Sequence, residues 1–587
     1  MLGVRVDAVR DSSIVSHSMR IELGGDSSNS AAAQKLDGDS FAVSRNAQNA
    51  IAIHAGSERG LIHAAASVLE HLGAQFPVGA PPIFPHIEAR RIAAIESFAV
   101  TPAFKRRAFV SDIMTWNYLF PERLALHLEH DREFIPWMAR RGINAFSYIR
   151  HAHDTPLKID ELSPLLASRG IDAEYGGHVL QTLLPREQFG SHPEYFPATD
   201  DGERMAAGNL CVSNPAAMKL VREGALKYVR DCPENTLLHI WGADVKRGAW
   251  CRCGACRELS PQLQYMAVVN AIAEALSADA SAPPVAYLAY HDTIEPHPAL
   301  KPRDNVWFEW APRERCYVHA IDDASCEINP RYLDTLKRYI DLFDGRGHVF
   351  EYYADSILFS GLGFAMPQVI ADDLRCYRAL GIESISCLTF GAYSALAYPV
   401  NLEAFVRGSR DVDFDPETVV KDTANGRHPL CGAAMTGAYR TVAAASKLVL
   451  DYGDVVPVMK IEPARRDRKR TDLAQASSIF VRAVAAAESI TNAVRSPLTN
   501  SERELWRFSS AILGGLSDYL DALQSRDVLR GEDAIKKLDG AIEHIRRIDP
   551  PIKGTWGPYD LEWMRELWLG GLRRALGAGQ QPAEDIF

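Results

Sequence analysis

The feature that most constrains the fold is a regular alternation of helix-like and strand-like segments between about residues 104 and 390. Short apolar runs such as RAFVSDI, INAFSYIR and LLHIWGAD are separated by amphipathic patterns such as HDREFIPWMARRG. About eight such strands, most of them preceded by a helix, are what a (β/α)8 barrel needs. A doubly wound sheet also alternates, but the sequence contains neither a G-x-G-x-x-G turn nor a P-loop. The pattern therefore favours an α/β fold of the TIM-barrel type.

The segments on either side of this alternation predict two further domains. A chain of 587 residues is too long for one compact core. Residues 1–100 contain the strand-like IAIHAG and the amphipathic helix RGLIHAAASVLEHLG, which predict a small α/β domain. Residues 101–404 would form the barrel. Residues 405–587 show apolar side chains at helical spacing, which predicts a helical C-terminal domain that packs on the barrel or forms a homodimer surface.

Composition limits the partners that we expect. The formal net charge of -11 argues against a nucleic acid or an anionic membrane as partner. The first residues contain no apolar core of signal-peptide length, and no run approaches the roughly 18 apolar residues that a membrane span needs. We therefore expect a cytoplasmic protein, or an exported one if a leader precedes this sequence.

The candidate site residues follow from where barrel enzymes hold their catalytic groups, at the carboxyl ends of the strands. Asp244 follows LLHIWGA and Glu351 ends HVFE, so these two carboxylates are the predicted catalytic pair. Asp355 and Glu309 are the reserve carboxylates. Histidines, arginines and aromatic residues at other strand ends have the composition of a sugar site. The predicted substrate-binding residues are Arg107, His178, Trp241, His291, Arg313 and Tyr353.

Several of these rim residues also have a purely structural interpretation, since polar rim residues often cap helices, bind water or pair with a neighbouring charge. Asp112 could cap the following helix, and His151 and His153 could be solvated loop residues. Arginines such as Arg107, Arg150 and Arg313 would alternatively suit an acidic sugar, because a guanidinium pairs with a carboxylate in bidentate fashion.

The cysteine motif C-x-C-x-x-C, at Cys251, Cys253 and Cys256, is too crowded for a chance arrangement of buried thiols. A reducing compartment favours a structural zinc ion bound by Cys253, Cys256, Cys316 and Cys326, with Cys251 or His319 as alternative ligands. An exported protein would favour disulfides among the same residues. A closed four-ligand site leaves no position for substrate, so we expect no cofactor for catalysis.

Several motifs resemble known glycosidase families. KRRAFVSD resembles the R-G-x-x-x-D strand of glycoside hydrolase family 20, and HIWGADV resembles its H-x-G-G-D-E-V strand. The N-terminal helix RGLIHAAASVLEHLGAQF is similar to the domain that precedes the barrel in family 20 and in the family 67 α-glucuronidases. A closer resemblance is to the proteins of domain of unknown function 4838, through HPEYF, NLCVSNP, the cysteine motif, RERCYVHAIDDASCEIN and EYYAD.

The resemblance implies roles for three positions. Arg107 matches the family 20 arginine that binds the hydroxyls of the terminal sugar, and Asp244 matches the glutamate that acts as general acid. Ala243 stands where the family has the aspartate that orients a substrate acetamide. With alanine there, substrate-assisted cleavage of an N-acetylhexosaminide is not expected, and a second carboxylate is needed.

The prediction from sequence is a glycoside hydrolase, exo-acting on an oligo- or polysaccharide. Glu351 would be the nucleophile if it lies about 5 Å from Asp244, or would activate water at about 6.5–9.5 Å. One alternative is a polysaccharide lyase that uses Tyr353 and His291 on a uronate. Another is a carbohydrate-binding protein without catalytic activity.

Overall fold

The fold is described from a computed structural model. It describes residues 36–45, 51–86, 94–111, 121–150, 159–451, 466–493, 496–548 and 569–578. Within these ranges, no helix combines the length and the apolar character that a membrane crossing requires.

The N-terminal unit is a three-stranded antiparallel sheet covered by one helix. Its elements are β1 (Phe41–Arg45), β2 (Ile51–Ala55), α1 (Glu58–His71) and β3 (Phe98–Val100), with β1 in the centre of the sheet. Helix α1 begins where the side chain of Ser57 accepts a hydrogen bond from Gly60 N, as serine does at helix N-termini. Its apolar face packs on the sheet in a small core of its own, separate from that of the barrel.

The predicted TIM barrel is confirmed. Eight parallel strands close into a ring in the order β10-β11-β4-β5-β6-β7-β8-β9. The strands are β4 (Arg106–Ser111), β5 (Ala145–Arg150), β6 (Asp172–Gly177), β7 (Asn235–Ile240), β8 (Val285–Ala289), β9 (Val306–Trp310), β10 (Gly347–Glu351) and β11 (Ser384–Thr389).

Helices surround the barrel and connect most of its strands. They are α2 (Pro121–Arg140), α3 (Ser163–Ser168), α4 (Leu180–Leu183), α5 (Pro215–Asp231), α6 (Pro261–Leu276), α7 (Asn329–Leu342) and α8 (Pro367–Ala379). Asn214 and Ser260 cap α5 and α6 with their side chains, and each precedes a proline in the first turn. The connection from β8 to β9 contains only a short 3-10 helix, His291–Thr293. This connection therefore places its residues directly at the mouth of the barrel.

The C-terminal region is helical, as predicted. Its helices are α9 (Gly391–Ala397), α10 (Pro399–Arg410), α11 (Pro416–Arg427), α12 (Gly432–Val449), α13 (Arg466–Ala493), α14 (Pro497–Ser525), α15 (Val528–Arg546) and α16 (Leu569–Ala578). The region packs against the segment that follows β10, where Gly363 N donates a 3.1 Å hydrogen bond to Ser509 Oγ and the Phe364 ring lies 6.1 Å from that of Phe480. The predicted boundary between residues 404 and 405 lies inside α10.

An ionic network fills the interior of the barrel. His239 Nδ1 lies 3.0 Å from Glu309 Oε2, and its Nε2 lies 3.2 Å from Glu174 Oε2. Arg106 pairs with Glu174 and His348 pairs with Glu309. Burial alone would lower the pKa of His239, but the two glutamates raise it to about 9. The imidazolium and the carboxylates satisfy one another, which is what a buried charge requires.

Candidate active site

The site is built at the carboxyl ends of β6 to β9. Strand β6 ends in two glycines, and a Cβ on Gly176 would lie 2.0 Å from the carbonyl oxygen of His239. Glycine is therefore required for β6 and β7 to lie this close together. His178 follows, and its Nδ1 donates to the carbonyl oxygen of Gly242, which leaves Nε2 facing Asp244 Oδ2 at 3.9 Å.

Asp244 lies between two histidines at the mouth. Its side chain is 39% exposed, whereas the side chains of His178 and His291 are buried. The Nε2 atom of His291 lies 3.8 Å from Asp244 Oδ1. His291 has a backbone φ of +46°, a conformation that residues other than glycine seldom adopt and that often marks a functional constraint. Both imidazoles thus approach one carboxylate that remains open to solvent.

The other face of His291 contacts a second carboxylate. His291 Nδ1 lies 3.3 Å from Glu314 Oε1, and Lys246 Nζ lies 2.6 Å from the same oxygen. Burial by itself would raise the pKa of Glu314, but His291 and Lys246 lower it to about 2. Glu314 is therefore an ionised group that holds His291 and Lys246 in place.

Asp292 is the third acidic residue at the mouth, and its proton affinity differs from that of Glu314. Burial raises the pKa of Asp292 to about 6, against the attraction of His291 and Arg247. Two carboxyl groups of one site, Asp292 and Glu314, thus have pKa values well apart, which is how enzymes in general separate a proton donor from an ionised carboxylate.

A small cavity lies between His178, His291 and Asp292. It is lined by His178, Asn209, Ala243, Tyr290 and Asp292, among others. The side chain of Asn209 accepts a 2.7 Å hydrogen bond from Ala243 N and so fixes the residue just before Asp244.

Trp241 lies beneath the mouth. Its ring contacts that of His178 edge-on at 5.2 Å, and its Nε1 donates a 2.7 Å hydrogen bond to Glu309 in the ionic network. Trp241 is nearly fully buried, so it supports the site by packing beneath it.

Glu351, predicted as the second catalytic carboxylate, does not face the mouth. His348 and Phe350 on the same strand point into the barrel, towards Glu309 and Trp241. Because successive side chains of a strand alternate, Glu351 points outwards, towards the helix layer. There it is fully buried, accepts a hydrogen bond from Tyr377 of α8 and lies 3.2 Å from Arg315 Nε. The assignment of Glu351 to catalysis is therefore wrong, because substrate cannot reach its carboxylate.

Tyr353 lies in the same outer layer. Its side chain is fully buried, and its hydroxyl donates a 2.9 Å hydrogen bond to Asp373 of α8, which also pairs with Arg315. The predicted role of Tyr353 in sugar binding is therefore wrong, and the lyase pair of Tyr353 and His291 does not form.

Arg107 lies at the opposite end of the barrel from Asp244. It is near the start of β4, and its guanidinium pairs with Asp39 at 2.5 Å and donates to the carbonyl oxygens of Phe104 and Gly142. These contacts join the N-terminal unit to the amino end of the barrel. The prediction that Arg107 binds sugar is therefore wrong, since a strand start lies on the stability face of such a barrel.

The remaining predicted residues are distributed between the mouth and the interior. Arg313 follows β9 and lies 3.1 Å from Asp355, whose other oxygen accepts hydrogen bonds from Ile357 N and Leu358 N. Asp355 and Glu309 are both buried and paired. Asp112, His151 and His153 lie outside the described residues.

The cysteines form two groups in place of the predicted mixed set. Cys253 and Cys256 meet Cys211 and Cys251, whereas Cys316 and Cys326 meet His319. The prediction that Cys253, Cys256, Cys316 and Cys326 share one metal is therefore wrong. Cys211 was not predicted as a ligand, because a helix and a strand separate it from the cysteine motif in the sequence. The one pattern that could have indicated it is NLCVSNP, which contains it.

Two acidic residues and one amide of the mouth were also absent from the predicted set. Asp292 directly follows His291 in the sequence, and Glu314 belongs to the motif RERCYVH. Asn209 stands in NLCVSNP. Each lies in a motif that was noticed for its other residues.

A much larger cavity lies elsewhere in the molecule. It has a volume of about 830 Å³ and lies between α1 and helices α10 and α11. Arg141 in its wall pairs with Glu70 and Glu403. Arg141 follows α2 and precedes β5, so this cavity is near the amino end of the barrel, where barrel enzymes do not place their chemistry.

Comparison with protein families confirms the resemblance predicted from sequence. Residues 112–389 match the family model of the domain of unknown function DUF4838. No curated protein matches this chain in sequence.

Solved structures with a similar fold are glycoside hydrolases. One is a family GH115 4-O-methyl-alpha-glucuronidase with specificity for decorated arabinogalactans, with a TM-score of 0.56 and 11% identity over 94% of this chain and 71% of that chain. A second is a GH138 enzyme targeting pectin rhamnogalacturonan II, with a TM-score of 0.55 and 10% identity over 97% and 77%. A third is a family 89 glycoside hydrolase from Clostridium perfringens, with a TM-score of 0.55 and 11% identity over 97% and 74%. At such identities the likeness is one of fold.

Proposed function

We propose that this chain, whose barrel carries the DUF4838 domain, is a glycoside hydrolase with Asp244 and Asp292 as its pair of catalytic carboxyl groups. The observation that carries the proposal is the arrangement at the mouth, where the solvent-facing Asp244 lies between His178 and His291, and where Asp292, the residue after His291, has a pKa raised to about 6. Glycoside hydrolysis needs one carboxylic acid to protonate the leaving oxygen and one carboxylate on the other side of the bond.

The roles follow from the surroundings of the two groups. Asp292 retains its proton to higher pH than an ordinary aspartate, so it is the proton donor. Asp244 is the more exposed and has two imidazoles against its oxygens, so it acts as nucleophile or as the base that activates water. This assignment reverses the role that the family resemblance gave to Asp244.

Glu314 supports this pair without taking part in the reaction. Its pKa of about 2 makes it a poor proton carrier, and its contact with Lys246 keeps it occupied. Its contact with His291 orients the imidazole that faces Asp244. Ala243, which lacks a carboxylate, is consistent with a pathway that does not use a substrate acetamide.

The substrate that we propose is an acidic glycan, cleaved from its end. Arg247 is an exposed cation on the loop after Asp244, and a guanidinium suits the carboxylate of a uronic acid. Lys246 and Arg313, which pair with Glu314 and Asp355, add positive charge to the same mouth. A glucuronidase and an enzyme targeting rhamnogalacturonan II are among the proteins of similar fold, which gives uronic-acid glycans priority as test substrates.

The test is a screen of aryl glycosides and uronic-acid oligosaccharides with the wild type, Asp244→Asn and Asp292→Asn, and with the exposed Asp201→Asn as a control. On substrates with a poor leaving group, both site variants should lose most activity. The dinitrophenolate of a dinitrophenyl glycoside leaves without protonation. On this substrate, Asp292→Asn should therefore retain activity and Asp244→Asn should not. The opposite result would exchange the two roles.

Three outcomes would contradict hydrolysis altogether. Product with new ultraviolet absorbance would indicate a lyase. Glycan binding that is unchanged in Asp244→Asn and accompanied by no turnover would indicate a carbohydrate-binding protein. Full activity of both site variants would remove the pair from the mechanism, and products released from within the glycan would contradict the exo mode.

A further inference from the structure

We propose that Cys211, Cys251, Cys253 and Cys256 bind one structural zinc ion, an inference that does not depend on the proposed hydrolysis. The four sulfur atoms all lie within 4.8 Å of one another. Cys211 Sγ is 3.7 Å from Cys253 Sγ and 3.9 Å from Cys256 Sγ. Four thiolates at a Zn–S distance of about 2.3 Å from one tetrahedral centre have sulfur atoms about 3.8 Å apart. The observed spacings match this geometry.

The local backbone is shaped for such a site. In the turn Cys253–Cys256, the amides of Cys256 and Arg257 both donate 2.9 Å hydrogen bonds to the carbonyl oxygen of Cys253. This turn directs Cys253 and Cys256 to the same point, as C-x-x-C turns of zinc sites do. Cys251 comes from the segment just before it, and Cys211 comes from a loop that precedes α5. Two separate segments are thus joined by one cluster.

The neighbouring donors also fit thiolates. Ala198 N lies 3.4 Å and Arg204 Nη1 3.8 Å from Cys251 Sγ, and Ser213 Oγ lies 3.3 Å from Cys256 Sγ. A zinc ion with four thiolates has a net negative charge, so amide donors and a guanidinium stabilise it. A set of neutral buried thiols would gain little from these groups.

The two joined segments contain little regular secondary structure, so a cross-link at the cysteines would stabilise their conformation. Residues 184–214 contain short 3-10 helices but no α-helix, and residues 241–260 contain neither helix nor strand. At the cysteines, the buried apolar residues that the two segments share are Ala198 and the cysteines at 211, 251 and 256, a cluster separate from the main core. Phe196, Leu210 and Trp250 pack the same segments on the main core, and a bound zinc ion would in addition join the two segments directly to each other. With four protein ligands, the ion has no open position and its role is structural.

The first experiment measures zinc in the full chain, purified without chelators, by inductively coupled plasma mass spectrometry. Cys211→Ser and Cys253→Ser should each contain one equivalent less than the wild type, whereas the control Cys376→Ser, at a half-buried cysteine that belongs to neither cysteine group, should keep the zinc content of the wild type. Equal zinc content in the wild type and both variants would overturn the proposal. A disulfide among the four cysteines, found by mass spectrometry of the alkylated protein, would overturn it as well.

A second measurement keeps the test valid if a serine variant folds poorly. Wild-type protein depleted of zinc and loaded with Co²⁺ should show intense near-ultraviolet bands of thiolate-to-cobalt charge transfer, and these should persist in Cys316→Ser. Cobalt that binds without such bands would contradict the four-cysteine site. The melting temperature of the wild type should fall on depletion and recover on addition of Zn²⁺, and a melting temperature that does not respond would contradict a structural role.

Discussion

The barrel has two clusters of acidic residues near the carboxyl ends of its strands, and a substrate can reach only one of them. At the mouth, Asp244 faces solvent between His178 and His291. Behind β10, Glu351 and Asp373 surround the guanidinium of Arg315, and all three side chains are fully buried. Both clusters contain carboxylates near a strand end, so their composition does not tell them apart.

The difference lies in the face of the strand from which each carboxylate projects. Inward positions at the carboxyl end of a strand lead to the mouth, whereas outward positions lead to the helix layer. In the outer cluster, a guanidinium, two tyrosine hydroxyls and two carboxylates satisfy one another, which makes it a structural ion network. At the mouth, the side chain of Asp244 is 39% exposed, so a substrate in solution can reach its carboxylate. The comparison therefore separates stabilising acids from reactive ones.

The largest expected effect is at the mouth. Asp244→Asn should lower kcat/KM by about 10²–10⁴-fold, since that is the usual contribution of a positioned acid–base group. The melting temperature should stay close to that of the wild type, because the side chain is 39% exposed. Steady-state kinetics on an aryl glycoside and a thermal melt check this. Wild-type kinetics of Asp244→Asn would contradict a reactive role for the acidic cluster at the mouth.

The outer cluster should respond in the opposite way. Glu351→Ala leaves Arg315 with Asp373 alone and should lower the free energy of unfolding by about 3–5 kcal/mol, the usual cost of breaking a buried ion pair. Glu351→Gln is the matched control, because an amide oxygen can still accept the hydrogen bond from Tyr377. Denaturant unfolding gives the stability, and kinetics well below the melting temperature give the activity. A large loss of kcat at unchanged stability would return Glu351 to the site.

Much of the fold could be predicted because it depends on periodic patterns. The alternation of strands and helices is repeated along the whole barrel, so single errors do not change the result. The strand-end rule also located Asp244, His178 and His291, which the structure brings together at the mouth. These residues lie in the loops that follow their strands. A loop residue lies at the mouth whether the last residue of its strand points inwards or outwards.

The errors arose where one residue of register decides the outcome. Glu351 is the last residue of β10, and a shift of one position exchanges the inner and outer faces of a strand. Arg107 lies near the start of β4, and the start of a barrel strand lies at the amino end of the barrel, opposite the mouth. Cys211 joins the cysteine motif only in space, across a helix and a strand, and no local spacing encodes that contact.

The pH dependence of hydrolysis sharpens the comparison within the mouth. Asp292 donates a proton in its protonated form, and burial raises its pKa to about 6. Activity should therefore be present below pH 6 and fall about tenfold per pH unit above it, since the protonated fraction falls tenfold. Asp292→Asn should abolish this alkaline decrease in kcat/KM. A decrease that persists in Asp292→Asn would assign the proton to another group, whereas the exposed control Asp201→Asn should leave the profile unchanged.

The smallest expected effect concerns the connection between the cysteine cluster and the mouth. Asn209 lies two residues before Cys211, and its side chain accepts a 2.7 Å hydrogen bond from Ala243 N, which fixes the residue next to Asp244. Asn209→Ala removes that bond and leaves a buried amide unsatisfied, a change worth about 1–3 kcal/mol. If part of this free energy positions Asp244, kcat should fall several-fold while the zinc content stays that of the wild type. Gln181→Ala is the matched control, because Gln181 Nε2 donates a 3.2 Å hydrogen bond to the carbonyl oxygen of Gly208, in the same loop as Asn209. Equal kcat values in Asn209→Ala and Gln181→Ala would show that the hydrogen bond of Asn209 does not position Asp244. A loss of zinc in Asn209→Ala would show that the substitution disturbs the cysteine cluster instead.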